Sequence, residues 1–394
     1  MKHIIFIIIV VVISLIECNS SKKENKNKQK QTTMTMITKV VGKDIRISFE
    51  GTGNAVIDWG DGTPNDSISL IPNRSHHQHK YNDTTTHTIT INGDIITFLD
   101  CSYCKLTYLD VSDNKSLETL ICGWNSLTSL DLSKNKDLKR LTCHENRLTS
   151  LNLSNNKLLE DLFCINNRLS FLDVSSSIEM VVLCCNGNQL TNLDVSKNKK
   201  LTELNCSSNQ LTSLKIDNNI ALKKLFCNNN QLTQLDVYKN NKLTELGCGG
   251  NHLTVLNINN MEALEELNCT NNQLIFLELN NNGKLKYLRC GSNKLNSLDV
   301  SKNTALTTLE CDNNQLTSLD VSNNETLVIL NIESNKFSAS ALNNILSLLH
   351  DKIIEMESKV IFMAGNPGIN NCLQSIAQPK GWRVSTTLIN KPNT

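Results

Sequence analysis

Cysteine is the residue type in this chain with the most chemistry to offer, and its placement is periodic. Eleven of the fifteen cysteines lie on one series: Cys101, Cys122, Cys143, Cys164, Cys185, Cys206, Cys227, Cys248, Cys269, Cys290 and Cys311, each 21 residues after the last. Thiols in proximity can bind zinc, pair as disulfides or fill a core. The spacing favours the last. A residue type that returns at a fixed step without slippage is stacked on itself by a coiling backbone, which is the mark of a solenoid. Neighbouring ladder residues on parallel strands carry parallel Cβ vectors about 4.8 Å apart, outside the ~3.5–4.5 Å of a bridged pair. A buried, inert thiol column is therefore expected. Off the series, Cys104 holds a slot that asparagine fills in later coils and is expected in a turn. Cys184, beside Cys185, is expected to point outward, and Cys372 falls in the C-terminal region.

Other residues with chemical potential are less ordered. His76, His77, His79 and His87 cluster in sequence, but their spacing matches no tight metal-ligand signature. A carboxylate or amide recurs once per coil: Asp110, Asp131, Asn152, Asp173, Asp194, Lys215, Asp236, Asn257, Glu278, Asp299 and Asp320, with the lysine as the one exception. Calcium wants 6–8 oxygens, which one side chain per coil does not supply. Hydrogen bonds to backbone or to the following serine are the simpler expectation. No Ser/His/Asp arrangement, phosphate loop or HExxH is present, so neither catalysis nor a cofactor or metal is expected. Gly247-Cys248-Gly249-Gly250 reads as a repeat turn, and Glu265-Glu266 as solvent-facing acids. The net charge of +1 and the absence of aromatics within the basic run argue against nucleic acid.

The elements that must hold these residues follow from the repeat. From Leu106 onward the unit reads L-x-x-L-x-V-x-x-N-x-x-L-x-x-L-x-C-x-x-N-x, eleven times. It is itself double, an 11-residue half followed by a 10-residue half. The asparagine of the second half is kept from Asn125 to Asn335. That of the first half gives way only to Ser177 and Met261. In an extended segment alternate side chains share a face, so Leu and Val or Cys two apart point to one interior. The asparagine then turns the chain and satisfies buried backbone groups. No proline occurs between Arg74 and Gly365, as a continuous ladder of N–H donors requires.

This unit resembles a leucine-rich repeat of the nested, 21-residue kind. Its cysteine column is similar to that of internalin-J-type surface proteins, and the full pattern resembles secreted and surface leucine-rich repeat proteins of Bacteroidetes. The resemblance implies a right-handed solenoid with parallel strands over residues 96–336, dominated by β structure and non-enzymatic. Residues 34–95 carry alternating strands around Trp59-Gly60-Asp61-Gly62-Thr63, with His79-Lys80-Tyr81 downstream. That run resembles the PKD-type β-sandwich of extracellular proteins, in a shortened form, and implies a β cap in which His79 needs no metal. Residues 337–394 begin with apolar positions at helical spacing, Ser340 to Leu349, followed by strands at Val360–Met363 and Gly381–Val384. They read as an α/β cap over the last coil.

Residues 1–17 have a short basic start and an apolar run, the pattern of a signal peptide. Leu15-Ile16-Glu17-Cys18 resembles a lipobox, with Glu17 where Gly, Ala or Ser is usual. It implies lipidation at Cys18, with ordinary secretion as the alternative. Residues 18–33 then read as a polar, lysine-rich tether. The expected place is a bacterial envelope, at the outer membrane or cell surface, reached through the lipid anchor. The chain is expected to act as a monomer.

Recognition is expected on the second half of the coils, whose outward residues vary while the first half is monotonous. Trp124, Arg140, His144, Phe163, Ile165, Phe226, Tyr287 and Arg289 are the candidates, because exposed aromatics and arginine on a varied strand face have the composition of a binding surface. The expected function is binding of a protein or glycan. A structural spacer and an accessory subunit of polysaccharide processing are the alternatives.

Overall fold

The computed structural model describes residues 31–39, 44–353 and 358–388. The apolar start and Cys18 lie outside the described residues. Five strands open the fold: β1 (Thr32–Thr38), β2 (Asp44–Asp58), β3 (Asp66–Leu70), β4 (Ser75–Lys80) and β5 (His87–Asp100). β2 pairs antiparallel with β5 and, on its other edge, with β4 and then β3. Its alternation puts Ile45, Ile47 and Phe49 inside.

The Trp59 segment is held by its neighbours. The buried indole donates to Asp66 Oδ2 at 2.8 Å, and Tyr81 Oη donates to the Trp59 carbonyl at 2.6 Å. His79 stacks on Trp59 at 4.8 Å and bonds Asp61 at 2.7 Å. His87 stacks on Tyr81 at 4.1 Å and bonds Asp83 at 2.8 Å, while His77 stacks on Phe49 and His76 bonds Ser48. The four histidines thus have packing and hydrogen-bonding work in the cap. Among the described residues no three His, Cys, Asp or Glu side chains converge to hold a metal ion.

β5 belongs to both cap and solenoid. Its first half pairs with β1, and its end, Phe98 to Asp100, pairs parallel with β7 (Thr119–Ile121). The first coil therefore inherits its register from the cap, with β6 (Leu106–Asp110) paired antiparallel to β1. From β7 one three-residue strand follows per coil: β8 (Arg140–Thr142), β9 (Asp161–Phe163), β10 (Val182–Cys184), β11 (Glu203–Asn205), β12 (Lys224–Phe226), β13 (Glu245–Gly247), β14 (Glu266–Asn268), β15 (Tyr287–Arg289), β16 (Thr308–Glu310) and β17 (Ile329–Asn331). Each pairs parallel with the next in the same register, so Leu120, Leu141, Leu162 and their successors form one buried row. Helix α1 (Ala339–Leu348) covers the last coil with Leu342, Ile345 and Leu346, its N-terminus capped by the Ser338 side chain. β18 (Lys359–Phe362) and β19 (Trp382–Ser385) carry the parallel ladder on to its end.

The two halves of the coil are less alike than the repeat suggests. Only the second half builds a continuous ladder; in the first half the described pairing is limited to β6 and an isolated bridge between Asp194 and Lys215. The N–H of each unit's first leucine is taken by the amide oxygen of the asparagine that closes the same unit, as Leu190 is by Asn209 at 3.0 Å.

All eleven ladder cysteines are fully buried and free. Burial pushes their thiols up, to about 12 for Cys122, Cys206 and Cys269, so they stay protonated at neutral pH and are poor nucleophiles. Cys104 sits in the first turn and donates to the Ser102 and Arg46 carbonyls, both at 3.3 Å. It thereby copies one bond of its counterpart Asn125, which donates to Gly123. Cys184 lies in the outward row of β10 but is only 6% exposed, because Phe163 and Asn205 flank it in register.

Candidate ligand-binding face

Three outward rows run across the strands, at the first and last strand residue and two positions further on. Except for Trp124, which stands one place beyond the last row, the candidates fall into two groups on these rows. Arg140 and Asp161 stand side by side on β8 and β9, and the guanidinium gives Asp161 two hydrogen bonds, at 2.6 and 2.9 Å. Phe163 is half-buried between Thr142 and Cys184, and Ile165 lies half-buried one place beyond the ladder. His144 lies against Gly123, where a Cβ would meet the imidazole at 2.6 Å; only glycine leaves that space. Burial holds the His144 ring below its usual pKa, so it is neutral at pH 7. Its edge meets Trp124 with ring centroids 6.0 Å apart.

The second group surrounds a notch of about 120 Å³ between β12 and β15, lined by Phe226, Glu245, Gly247, Glu266, Tyr287 and Arg289. Gly247 lies within β13, not in a turn as its glycine-rich surroundings suggest. A Cβ there would strike the Phe226 ring at 2.9 Å and Asn228 at 2.7 Å. The missing side chain lets Phe226 lean across the strand and leaves a floor of backbone. Glu245 pairs with Lys224 at 2.8 Å and Arg289 with Glu310 at 3.2 Å, which props the walls from outside the notch. Tyr287 is 37% exposed and supplies a rim. The repeat pattern pointed to Phe226, Tyr287 and Arg289 but not to Gly247. A glycine in a strand was the available signal for close approach.

The first-half column is a scaffold. Asp131, Asp173, Asp194, Asp299 and Asp320 each accept the N–H of the residue two places on at 2.8–2.9 Å. Asn152 and Asn257 make the same bond at 3.0 and 3.1 Å. These bonds, with those from the serine hydroxyls, hold the five carboxyls below their ordinary value of 3.8.

Each coil closes with a left-handed residue. The position passes through Glu145, Asn166, Gly187, Ser208, Asn229, Gly250, Asn271, Ser292, Asn313 and Ser334, mostly small residues, with the asparagines and glycines the types that best tolerate positive φ. At its start stand Tyr103 (φ 61°) and Trp124 (φ 55°), where a bulky Cβ costs ~1–2 kcal/mol apiece.

No protein-family model and no curated protein matches the sequence. Among solved structures, the functional domain of InlJ from Listeria monocytogenes, which includes a cysteine ladder, is 28% identical with a TM-score of 0.54, over 72% of this chain and 77% of that one. The internalin InlF of the same species is 21% identical with a TM-score of 0.65, over 75% and 87%. The plant peptide hormone receptor RGFR1, solved in complex with RGF2, is 20% identical with a TM-score of 0.54, over 70% and 57%. The fold is a leucine-rich-repeat solenoid.

Proposed function

We propose that this protein is a non-enzymatic binding module that takes a protein ligand on the strand face of its coils, with the notch at Gly247 as the anchor point. The observation that carries this reading is the notch itself: aromatic walls, a backbone floor and a charged rim held by neighbouring ion pairs. Such a concavity accepts one inserted side chain, and fully desolvated aromatic and arginine contacts dominate interface energies. The RGFR1–RGF2 complex, a receptor of similar fold holding a peptide hormone, supports a protein or peptide as the ligand class. The apolar start and Cys18 support a place on a bacterial envelope, with the coils held away from the membrane by the lysine-rich tether.

The test uses Phe226→Ala, Tyr287→Ala and Arg289→Ala combined. These side chains face outward, so far-ultraviolet circular dichroism and melting should stay close to wild type. Partners captured by the wild-type protein from surface-protein extracts should be lost, each anchor contributing about 2 kcal/mol or more. An unchanged set of partners rules out this face. If no partner is captured by the wild type, while deleting whole coils alters only how far the cap is displayed, the spacer reading replaces this one.

A further inference from the structure

The left-handed position holds asparagine, glycine or serine from Asn166 onward, whereas its first three places are Tyr103, Trp124 and Glu145, the first two aromatic. Tyr103 and Trp124 are 65% and 44% exposed, and their rings stack with centroids 5.4 Å apart and planes within 10°. Trp124 covers one face of Tyr103. Tyr103 also lines an open cleft of about 510 Å³ between the cap and the first coil. Around it stand Asp44, Arg46 and Ser48 from β2, Gln78 from β4, Asp100 from the end of β5, and Ser102 from the first turn. The polar groups are held in place: Gln78 donates to Asp44 at 2.6 Å, and the Ser102 hydroxyl to Asp100 at 2.7 Å.

We propose that this cleft is a carbohydrate-binding site in which a pyranose ring lies against Tyr103 and its hydroxyls are read by Arg46, Asp44, Gln78 and Asp100. Sugar rings present an apolar C–H face, which a flat aromatic surface covers, and an edge of hydroxyls that both donate and accept. The cleft has that pairing. Arg46 only donates, the two carboxylates only accept, and Gln78 and Ser102 do both. With one guanidinium against two carboxylates it has no excess positive charge to select phosphate or an acidic peptide. The stack is retained at two backbone positions that disfavour large side chains, which is where strained residues accompany function. The site lies on the cap side of the first coil, remote in sequence from the Gly247 notch.

The chain has three tryptophans, and Trp59 and Trp382 are buried, so a ligand-dependent change in emission reports Trp124. The full chain is titrated with cellotetraose, chitotetraose, maltotetraose and xylotetraose, chosen as neutral pyranose probes. At least one should give a saturable emission change. Its affinity should fall at least tenfold in Arg46→Ala and in Tyr103→Asn. The latter installs the residue that this position uses in later coils, so its melting temperature should not fall. The Phe226/Tyr287/Arg289 alanine variant should keep the full response. No saturable change with any of the four sugars overturns the proposal. So does a response unaltered in Tyr103→Asn and Arg46→Ala, or one seen with tetra-arginine and with no sugar, which would assign the cleft to a cationic protein segment.

Discussion

Two asparagine columns run the length of the solenoid, and the structure gives them different work. In the second half, Asn209 donates through Nδ2 to the carbonyls of Cys185, Cys206 and Ser207, and its Oδ1 accepts the Leu190 N–H. Both ends of the amide are used, and the acceptance from the leucine N–H and the donations to two cysteine carbonyls recur in neighbouring coils at Asn188 and Asn230. In the first half, Asn219 donates to Val195 and Asn198, but its buried Oδ1 accepts no hydrogen bond. The oxygens of Asn135, Asn156, Asn198, Asn240, Asn282, Asn303 and Asn324 are in the same state. An orphaned buried acceptor is a cost, so the first column holds asparagine for its donor alone. That accounts for the substitutions. Ser177 still donates to the Asn156 carbonyl, at 3.1 Å, and Met261 donates nothing, yet each backbone carbonyl goes on accepting from the next coil's asparagine. No such replacement occurs in the second column from Asn125 to Asn335.

The largest expected effect breaks this asymmetry directly. Asn209→Ala strands the buried Leu190 N–H, which has no other described acceptor, and removes three donations to carbonyls. It should cost about 3 kcal/mol. Asn219→Ala removes two donations but also relieves an unpaired oxygen, and should cost only about 1 kcal/mol. Urea denaturation of both variants measures the difference. Solenoids can lose coils without unfolding as one unit, so midpoints of two probes should be compared. Equal costs would mean that the two columns are equivalent after all.

Acid sharpens the comparison from the other side, because the depressed aspartates of the solenoid lie in the first half. Asp131, Asp173, Asp194, Asp299 and Asp320 are more acidic folded than unfolded. The unfolded chain therefore takes up protons first, and the stability these groups supply above pH 3.8 is lost as the pH falls through their lower folded values. An amide makes the same turn without titrating, as Asn152 and Asn257 already do. Replacing all five aspartates with asparagine should leave melting at pH 7 nearly unchanged. It should lessen the drop between pH 4.5 and pH 2.5 by about 1–2 °C per site at most, since the groups are solvent-exposed. A variant as acid-sensitive as wild type would place the acid response elsewhere. Asp61 is the next candidate: burial raises it, but hydrogen bonds from Thr63 and His79 outweigh that and hold it at about 2.

Much of this was legible in the sequence because a repeat shows one decision many times over. The cysteine step fixed which residues stack, and the Leu and Val or Cys spacing placed them inside. What the pattern hid was the difference between halves written with the same letters, since Asn114 and Asn125 look alike until the donor to each Oδ1 is known. Singular features were also hard to read. Gly247 makes the notch through a side chain it lacks, and its neighbours Gly249 and Gly250 disguised it as a turn. Tyr103 falls before the first full repeat, so its kinship with the left-handed column appears only once φ is known. The candidates Trp124 and His144 were visible as side chains, but their contact depends on Gly123 leaving room for the imidazole.

The smallest expected effect is also the most discriminating. Met261→Asn restores the first column at one of its two exceptions. By the geometry of its neighbours, the new amide would donate to the carbonyls of Val237 and Asn240, as Asn240 does to Ile216 and Asn219. Against that gain, it would bury an oxygen with no donor to meet it, and would exchange a thioether that is 1% exposed for a shorter polar group. Two bonds at about 1 kcal/mol each, set against an orphan acceptor of similar cost and the lost apolar contact, leave a net change within about 1 kcal/mol of zero. If Asn were held in this column because it is strongly stabilising, the variant would instead gain 2 kcal/mol or more and raise the denaturation midpoint visibly. A midpoint within error of wild type, beside a large loss for Asn209→Ala, would show that a coil tolerates change wherever its amide is only half used.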